Sequence, residues 1–232
     1  MIKAVFFYLY GTLARFYPLR EQIQTDACET FGFTVSHAGI VRGYSLADEF
    51  MAKVNASPLP VSHLDEAAHT RFFAKYEHLI LQGAGIDVNL EVAGRVWAKV
   101  RETPYGMALF DDVLPVLEML RVRGLILGLL SNINWDVREL CEELGLLPYL
   151  NFSITSREAG VVKPHPPIFL MALERAGVAN TETLHVGDSH LSDVEGARGV
   201  GICPVLLDRD GMFGNIHDCL KISDLFGVFE HL

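Results

Sequence analysis

The sequence predicts an α/β fold: a three-layer sandwich on a mostly parallel five-stranded sheet, with an all-helical domain inserted after the first strand. Three observations carry that expectation. The run Ala4-Val5-Phe6-Phe7-Tyr8-Leu9-Tyr10 is continuously apolar or aromatic and ends in Gly11-Thr12, as a buried strand entering a tight turn does. From about residue 107 onward, short β-rich apolar runs alternate with helical patterns, the signature of βαβ units and a parallel sheet. Between these, residues from about 16 to 103 show helical periodicity, few β-branched runs, and breaks at Gly32, 57–60, 83–85 and Pro104.

Taken in order, the N-terminal run is the first strand, and residues 16–106 form the helical domain. Residues 1–15 and 107–232 form the core. Val113, Val116, Leu117 and Leu120 lie at helical spacing and stop at Gly124, which predicts a helix over 113–123. Strands follow at 125–130, 152–155, 184–186 and 204–207, with helices over 135–144, stopped by Gly145, and 167–176. Right-handed crossovers put these helices on the sheet faces. Ligands of open α/β sheets bind outside the carboxyl ends of the strands. The helical domain leaves from one such end, so it is expected to act as a lid, with hinges near 14–17 and 104–108.

Composition narrows the function. At 232 residues with 50% apolar content, the chain can bury one substantial core and a second, smaller one. A net charge of −10, with Lys and Arg scattered, argues against a nucleic-acid partner, which needs a clustered basic face. Cys28, Cys141, Cys203 and Cys219 form no C-x-x-C pair, so their spacing suggests neither a zinc site nor a redox motif, and reduced, mostly buried thiols in a cytoplasmic setting are expected. The apolar stretch at 4–13 ends in a turn with no small-residue cleavage site, and no apolar run reaches the roughly 18 residues that span a bilayer. The expectation is a protein neither secreted nor embedded in a membrane.

Four segments carry chemistry, and all fall at predicted strand ends. The first is the turn after the N-terminal strand. The second is Leu129-Leu130-Ser131-Asn132, where a buried strand delivers a hydroxyl and an amide to its tip. Alone, such a pair more often caps a helix than binds phosphate. The third is Gly160-Val161-Val162-Lys163-Pro164-His165-Pro166, whose lysine is either a fixed positive charge beside an anion or an ordinary surface lysine. The fourth, His185-Val186-Gly187-Asp188-Ser189-His190-Leu191-Ser192-Asp193, sets two carboxylates five residues apart. They suit a hard, oxygen-seeking cation, and helix capping is the competing reading.

Together, the strand with Gly-Thr, the Ser-Asn, the Lys-Pro and the Gly-Asp with a second Asp resemble the haloacid dehalogenase (HAD) superfamily. The resemblance runs from residue 2 to about 207, with segments 156–169 and 184–201 closest. It implies a Rossmann-like core with a helical cap and hydrolysis of a small anionic, phosphorylated metabolite through an aspartyl-phosphate intermediate, with Mg2+. By resemblance, Ser131 and Asn132 would bind the phosphoryl group and Lys163 would stabilise negative charge. Asp188 and Asp193 would hold the magnesium or its waters, with the backbone carbonyl of Tyr10 as a further ligand.

Two positions depart from that pattern. The family's attacking carboxylate stands where this chain has Tyr8. A carboxyl with pKa about 4 is ionised at neutral pH, whereas a phenol with pKa about 10 is about 0.1% ionised. A tyrosyl phosphate is an ordinary ester, so even successful attack would leave a slow second step. The ring would also fill metal and phosphoryl space, so magnesium binding should weaken. Losing the covalent route would remove on the order of 7 kcal/mol, about five decades in rate, and the chain is expected to be inert or nearly so. Tyr10 replaces the general acid of the family's phosphatases and resembles the haloalkanoate dehalogenase branch, whose halide leaving group needs no proton. Two alternatives to phosphatase chemistry therefore stand: 2-haloacid dehalogenation, and a non-catalytic binding or scaffold role.

Substrate determinants in the helical domain are poorly marked. Arg15, Arg20, Tyr44, His63 and His69 are candidates to face a cleft or to be ordinary surface. Phe72, Phe73 and Tyr76 are expected to be core. His165 and His190 lie near the candidate site without an assigned role.

Overall fold

A computed structural model describes residues 1–232 in full. The elements run β1 (Ala4–Phe7), β2 (Ala14–Tyr17), α1 (Arg20–Thr30), α2 (His37–Asn55), α3 (Glu66–Gly83), α4 (Leu90–Val100) and β3 (Gly106–Leu109). They continue through α5 (Val113–Val122), β4 (Ile126–Ser131), α6 (Arg138–Glu143), β5 (Phe152–Thr155), α7 (Ser156–Ala159) and α8 (Pro166–Ala176). The chain ends with β6 (Thr183–Gly187), a π-helical turn (His190–Glu195), α9 (Gly196–Gly199), β7 (Cys203–Leu207), β8 (Leu220–Ile222) and a 3₁₀ segment (Leu225–His231).

The sheet has six strands, not the five expected, in the order β5-β4-β1-β6-β7-β8. The addition is β8, which pairs in parallel with β7 from Val205↔Leu220 to Leu207↔Ile222. Its three residues, two of them exposed, carry no apolar run that a sequence pattern could register. Every other paired neighbour is also parallel. The central strand, β1, is flanked by β4 and β6, with Ala4 opposite both Ile126 and Thr183. All four of its residues are buried, as an apolar run covered on both faces should be. The chain winds from β1 outward to β5, then returns beside β1 and winds outward the other way. The switch point therefore lies at the carboxyl ends of β1, β4 and β6.

The chain divides into two compact units: Met1–Arg15 with Ala108–Leu232, and Phe16–Met107. On one side of the sheet, Ile168, Phe169 and Ala172 of α8 pack with Ala4, Phe6, Leu130 and Ile154. On α5, Val113, Val116, Leu117 and Leu120 are the buried residues, as their spacing predicts. The second unit is helical and closes its own core, in which Ile40, Tyr44 and Ala47 of α2 meet Phe72, Tyr76 and Ile80 of α3. Phe73 stacks on Trp97 at 4.7 Å, so the aromatic cluster is core. Both chain crossings between the units, expected as hinges, are extended segments, and β2 and β3 form a two-stranded sheet of their own.

The expected helix over 135–144 is shorter, starting at Arg138. The Asp136 carboxylate accepts the Arg138 N–H at 2.9 Å, a local bond that competes with an earlier helical start, and Trp135 stays exposed.

Candidate active site

The ladder continues one residue past β1, where the Tyr8 N–H donates to the Val186 carbonyl at 3.0 Å. The chain then folds back tightly, the Leu9 carbonyl accepting from Leu13 N–H at 2.8 Å and Ala14 N–H at 2.9 Å. Gly11 makes this possible with φ 71°, and it makes room as well: a Cβ there would lie 2.1 Å from Asp188 Oδ2. The Asp188 carboxylate, on the turn after β6, thus rests against the backbone of the first turn. The Thr12 hydroxyl donates to its Oδ1 at 3.3 Å.

At the end of β4, Ser131 is fully buried and its Oγ has no hydrogen-bond partner. Neighbouring Asn132 spends its amide on the backbone of Lys163. Its Oδ1 accepts the Lys163 N–H at 2.7 Å, and its Nδ2 donates to the Lys163 carbonyl at 3.3 Å. The Asn132 side chain is therefore a clamp on the lysine segment.

Lys163 is completely buried, so the surface reading is excluded. Its Nζ donates to Asp193 Oδ1 at 2.5 Å and lies 3.5 Å from the centroid of the Tyr8 ring, in cation–π contact. Asp193, 1% exposed, also receives His185 Nε2 at 2.8 Å on Oδ1 and the Ser189 N–H at 3.1 Å on Oδ2. Gly187 gives it room, since a Cβ there would sit 2.1 Å from Asp193 Cγ. Burial works against the charged form of Asp193, but Lys163 and then His185 hold its carboxyl down at about 2. Burial pulls the Lys163 ammonium below the usual lysine range, against the pull of Asp193. Burial also lowers His185, whose Nδ1 has no partner. A neutral ring donating from Nε2 is the tautomer that fits.

The structure thus brings Tyr8, Asn132, Lys163 and Asp193 into one connected cluster and sets Asp188 against the Gly11–Thr12 turn. Tyr10 lies beside Tyr8, ring centroids 6.3 Å apart. His185 was missed as a site residue. Its one sequence signal was a histidine inside an otherwise apolar strand, two residues before Gly-Asp. Arg209 was also missed. It forms a bidentate pair with Asp112, both contacts 2.9 Å, and donates to the Thr12 carbonyl at 3.0 Å, tying the first turn to the segment after β7.

Other candidates go elsewhere. The Arg20 guanidinium pairs with Asp48 at 2.9 Å and stacks 4.2 Å over the Tyr44 ring, so both are engaged inside the helical unit. His69 packs on Phe73 with centroids 4.7 Å apart. Arg15 lies over Phe110, 5.3 Å from the ring centroid. His63 sits in a 3₁₀ turn at Val61–His63. His165 precedes α8, and His190 reaches Asp218 at 3.2 Å.

A parallel six-stranded sheet with a helical segment inserted after its first strand defines a Rossmann-type α/β core with a helical insertion. The family model for haloacid dehalogenase-like hydrolases matches residues 2–201, and the chain belongs to that family. The phosphoserine phosphatase of Thermus thermophilus is 32% identical over 220 residues, covering 93% of this chain and 78% of that protein. Haloacid dehalogenase-like hydrolase domain-containing protein 3 of Mus musculus is 36% identical over 131 residues, 56% of this chain and 52% of its own. The match thus spans about half the length of that relative. A Bacillus subtilis HAD-hydrolase solved bound to magnesium shares the fold, with a TM-score of 0.65 at 15% identity and coverage of 100% and 98%. No helix of the chain is long and apolar enough to cross a membrane.

Proposed function

We propose that this chain carries the apparatus of a magnesium-dependent phosphatase of small phosphorylated metabolites, and that Tyr8 leaves it inert or nearly so. The observation that carries the reading is the position of Lys163. A fully buried ammonium, backed by Asp193 at 2.5 Å, faces the side chain of residue 8 at 3.5 Å. A buried cation aimed at one side chain is what an attacking carboxylate needs to be oriented and kept ionised. Here it meets the face of a phenol ring, which offers quadrupole attraction but no nucleophile.

The remaining residues take consistent roles. The buried, partnerless hydroxyl of Ser131 is a donor placed for an anionic oxygen, since such a group left unbonded costs about 1–3 kcal/mol. Asn132 fixes the Lys163 backbone and acts on the reaction through it. With its oxygens engaged by Lys163, His185 and Ser189, Asp193 holds the lysine and shapes the loop rather than offering a free carboxylate.

The donor set fits a magnesium ion with one anionic ligand fewer than an aspartate at position 8 would give. Asp188, cradled where Gly11 lacks a Cβ, would hold it together with the Tyr10 carbonyl and waters. When bound, the ion neutralises phosphoryl charge. The relatives named as phosphatases support the substrate class.

The test is hydrolysis of a panel of small phosphomonoesters, with and without magnesium, by this chain and its Tyr8→Asp variant. Turnover by the variant alone, at least about five decades above the parent, is expected. Silence of a folded variant across the panel would overturn the reading. Halide release by that variant from 2-halo acids in the presence of a chelator would move the assignment to dehalogenation.

A further inference from the structure

Just past the Asp188 turn in sequence, His190 joins two residues from before β8 in a convergence of three side chains of mixed donor type. Their ligand atoms, on His190, Asp218 and Cys219, all lie within 4.8 Å of one another. His190 opens the π-helical turn His190–Glu195, while Asp218 and Cys219 immediately precede β8. We propose that these residues form a second metal site, selective for zinc or a similar borderline-soft ion, separate from any magnesium site at Asp188.

The donor set argues for the kind of ion. Nitrogen, carboxylate oxygen and thiolate sulfur together suit Zn2+, whereas Mg2+ takes oxygen ligands alone. His190 Nε2 and Asp218 Oδ1 are 3.2 Å apart. Ligands at about 2.0 Å from a tetrahedral zinc are separated by about 3.3 Å, so this pair already has the spacing of one tetrahedral edge. The sulfur, within 4.8 Å of both, has to close in by about 1.3 Å at most, within the reach of side-chain rotation.

The surroundings are arranged for a carboxylate that gives one oxygen to a metal. Arg198 Nη1 donates to the other oxygen, Asp218 Oδ2, at 3.1 Å, and Nη2 to the Asp218 carbonyl at 2.8 Å. Ligating carboxylates are held in this way by outer partners. The Arg198 charge is balanced by Glu195, which it also bonds, so the cation does not face the ion unscreened. Three protein ligands leave a fourth position for water. The side chains of His190 and Asp218 are 28% and 53% exposed, so an ion has open access. Bound there, the metal would staple the turn carrying Asp188 to the edge of the sheet at β8.

Cobalt(II) titration of the full chain, reduced with a phosphine, tests the assignment. The expected result is one equivalent giving tetrahedral d–d absorption with a thiolate-to-cobalt charge-transfer band, displaced by zinc and untouched by magnesium. Cys219→Ser should abolish the charge-transfer band, and His190→Ala should abolish tight binding. Cys203→Ser should leave the spectrum as in the parent. Added zinc should raise the thermal midpoint of the parent and not that of His190→Ala. A folded parent without tetrahedral cobalt absorption, or a charge-transfer band that survives Cys219→Ser, would overturn the site. Neither readout depends on catalysis, so the result stands whether or not the Tyr8→Asp variant proves to be a phosphatase.

Discussion

Two buried carboxyls, one in each unit, are held on opposite sides of their ordinary range, and each gives a pH-dependent consequence of opposite sign. Asp193 is depressed from 3.8 to about 2. Its contribution to stability is therefore complete above about pH 4 and is lost as pH falls from there through about 2. Asp193→Asn would leave the Lys163 ammonium buried without its counter-charge, which costs about 3–5 kcal/mol. The urea midpoint at neutral pH should fall accordingly, and the gap to the parent should narrow below about pH 4. A gap independent of pH would mean the pair is not ionic. Glu77 is raised instead, from 4.5 to about 8, chiefly by burial, which outweighs its bond from Gln24 Nε2 at 2.5 Å. Stability from its neutral form is complete below about 4.5 and drains away as pH rises to about 8. Glutamine mimics the protonated acid and keeps the acceptor for Gln24. Glu77→Gln should thus match the parent near pH 4.5 and exceed it increasingly toward pH 8. A parallel pH profile for the two proteins would refute a neutral buried carboxyl.

At the scale of elements, packing rests on close approaches as much as on apolar stripes. Helices α2 and α3 meet through glycines: a Cβ on Gly43 would lie 2.2 Å from the Ile80 carbonyl, and one on Gly83 would lie 2.4 Å from Gly43 Cα. In an exposed helix Gly→Ala stabilises by about 1 kcal/mol. Here backbone blocks the methyl, so Gly43→Ala should instead destabilise by about 1–3 kcal/mol, read as a lower denaturant midpoint. Nothing in the periodicity of residues 37–55 marks this crossing, because the reason for the glycine lies on another helix. The same distinction separates what could be read in advance from what could not. Buried strands such as β1 and β4 and the stripe of α5 declare themselves in local pattern. By contrast β8, and the four-residue β2 and β3 with their mixed burial, depend on partners distant in sequence. Lys163 is the sharpest case at the site. Taken alone, its motif reads as a surface loop, yet it is held in the interior by Asn132 and Asp193, 31 and 30 residues away. The motif residues could be named from sequence order. The clamping of Lys163 by Asn132 and of Asp193 by His185 could not.

At the scale of the molecule, the insertion and the sheet each enclose their own apolar core, one around Ile40, Phe72 and Ile80 and the other around Phe6, Ile154 and Phe169. Cavities and overpacking act first on the atoms they touch, and sub-global opening follows units that share a core. Damage to one core should therefore raise amide exchange within that unit before it reaches the other. Phe169 is wholly buried beneath the sheet, and its ring also meets His185 edge-on at 5.2 Å. Phe169→Ala should cost about 3–5 kcal/mol through the cavity it leaves. The rise in exchange should be concentrated in β1, β4, β5 and β6, while the amides of α2 and α3 keep their protection at low denaturant. Gly43→Ala should show the reverse pattern, with α2 and α3 opening and β1 unchanged. The pair forms a double dissociation that mass-spectrometric exchange can read peptide by peptide. Exchange rising in both units for both variants would show a single cooperative unit, and single-site stabilities measured in either half would then have to be interpreted for the whole chain.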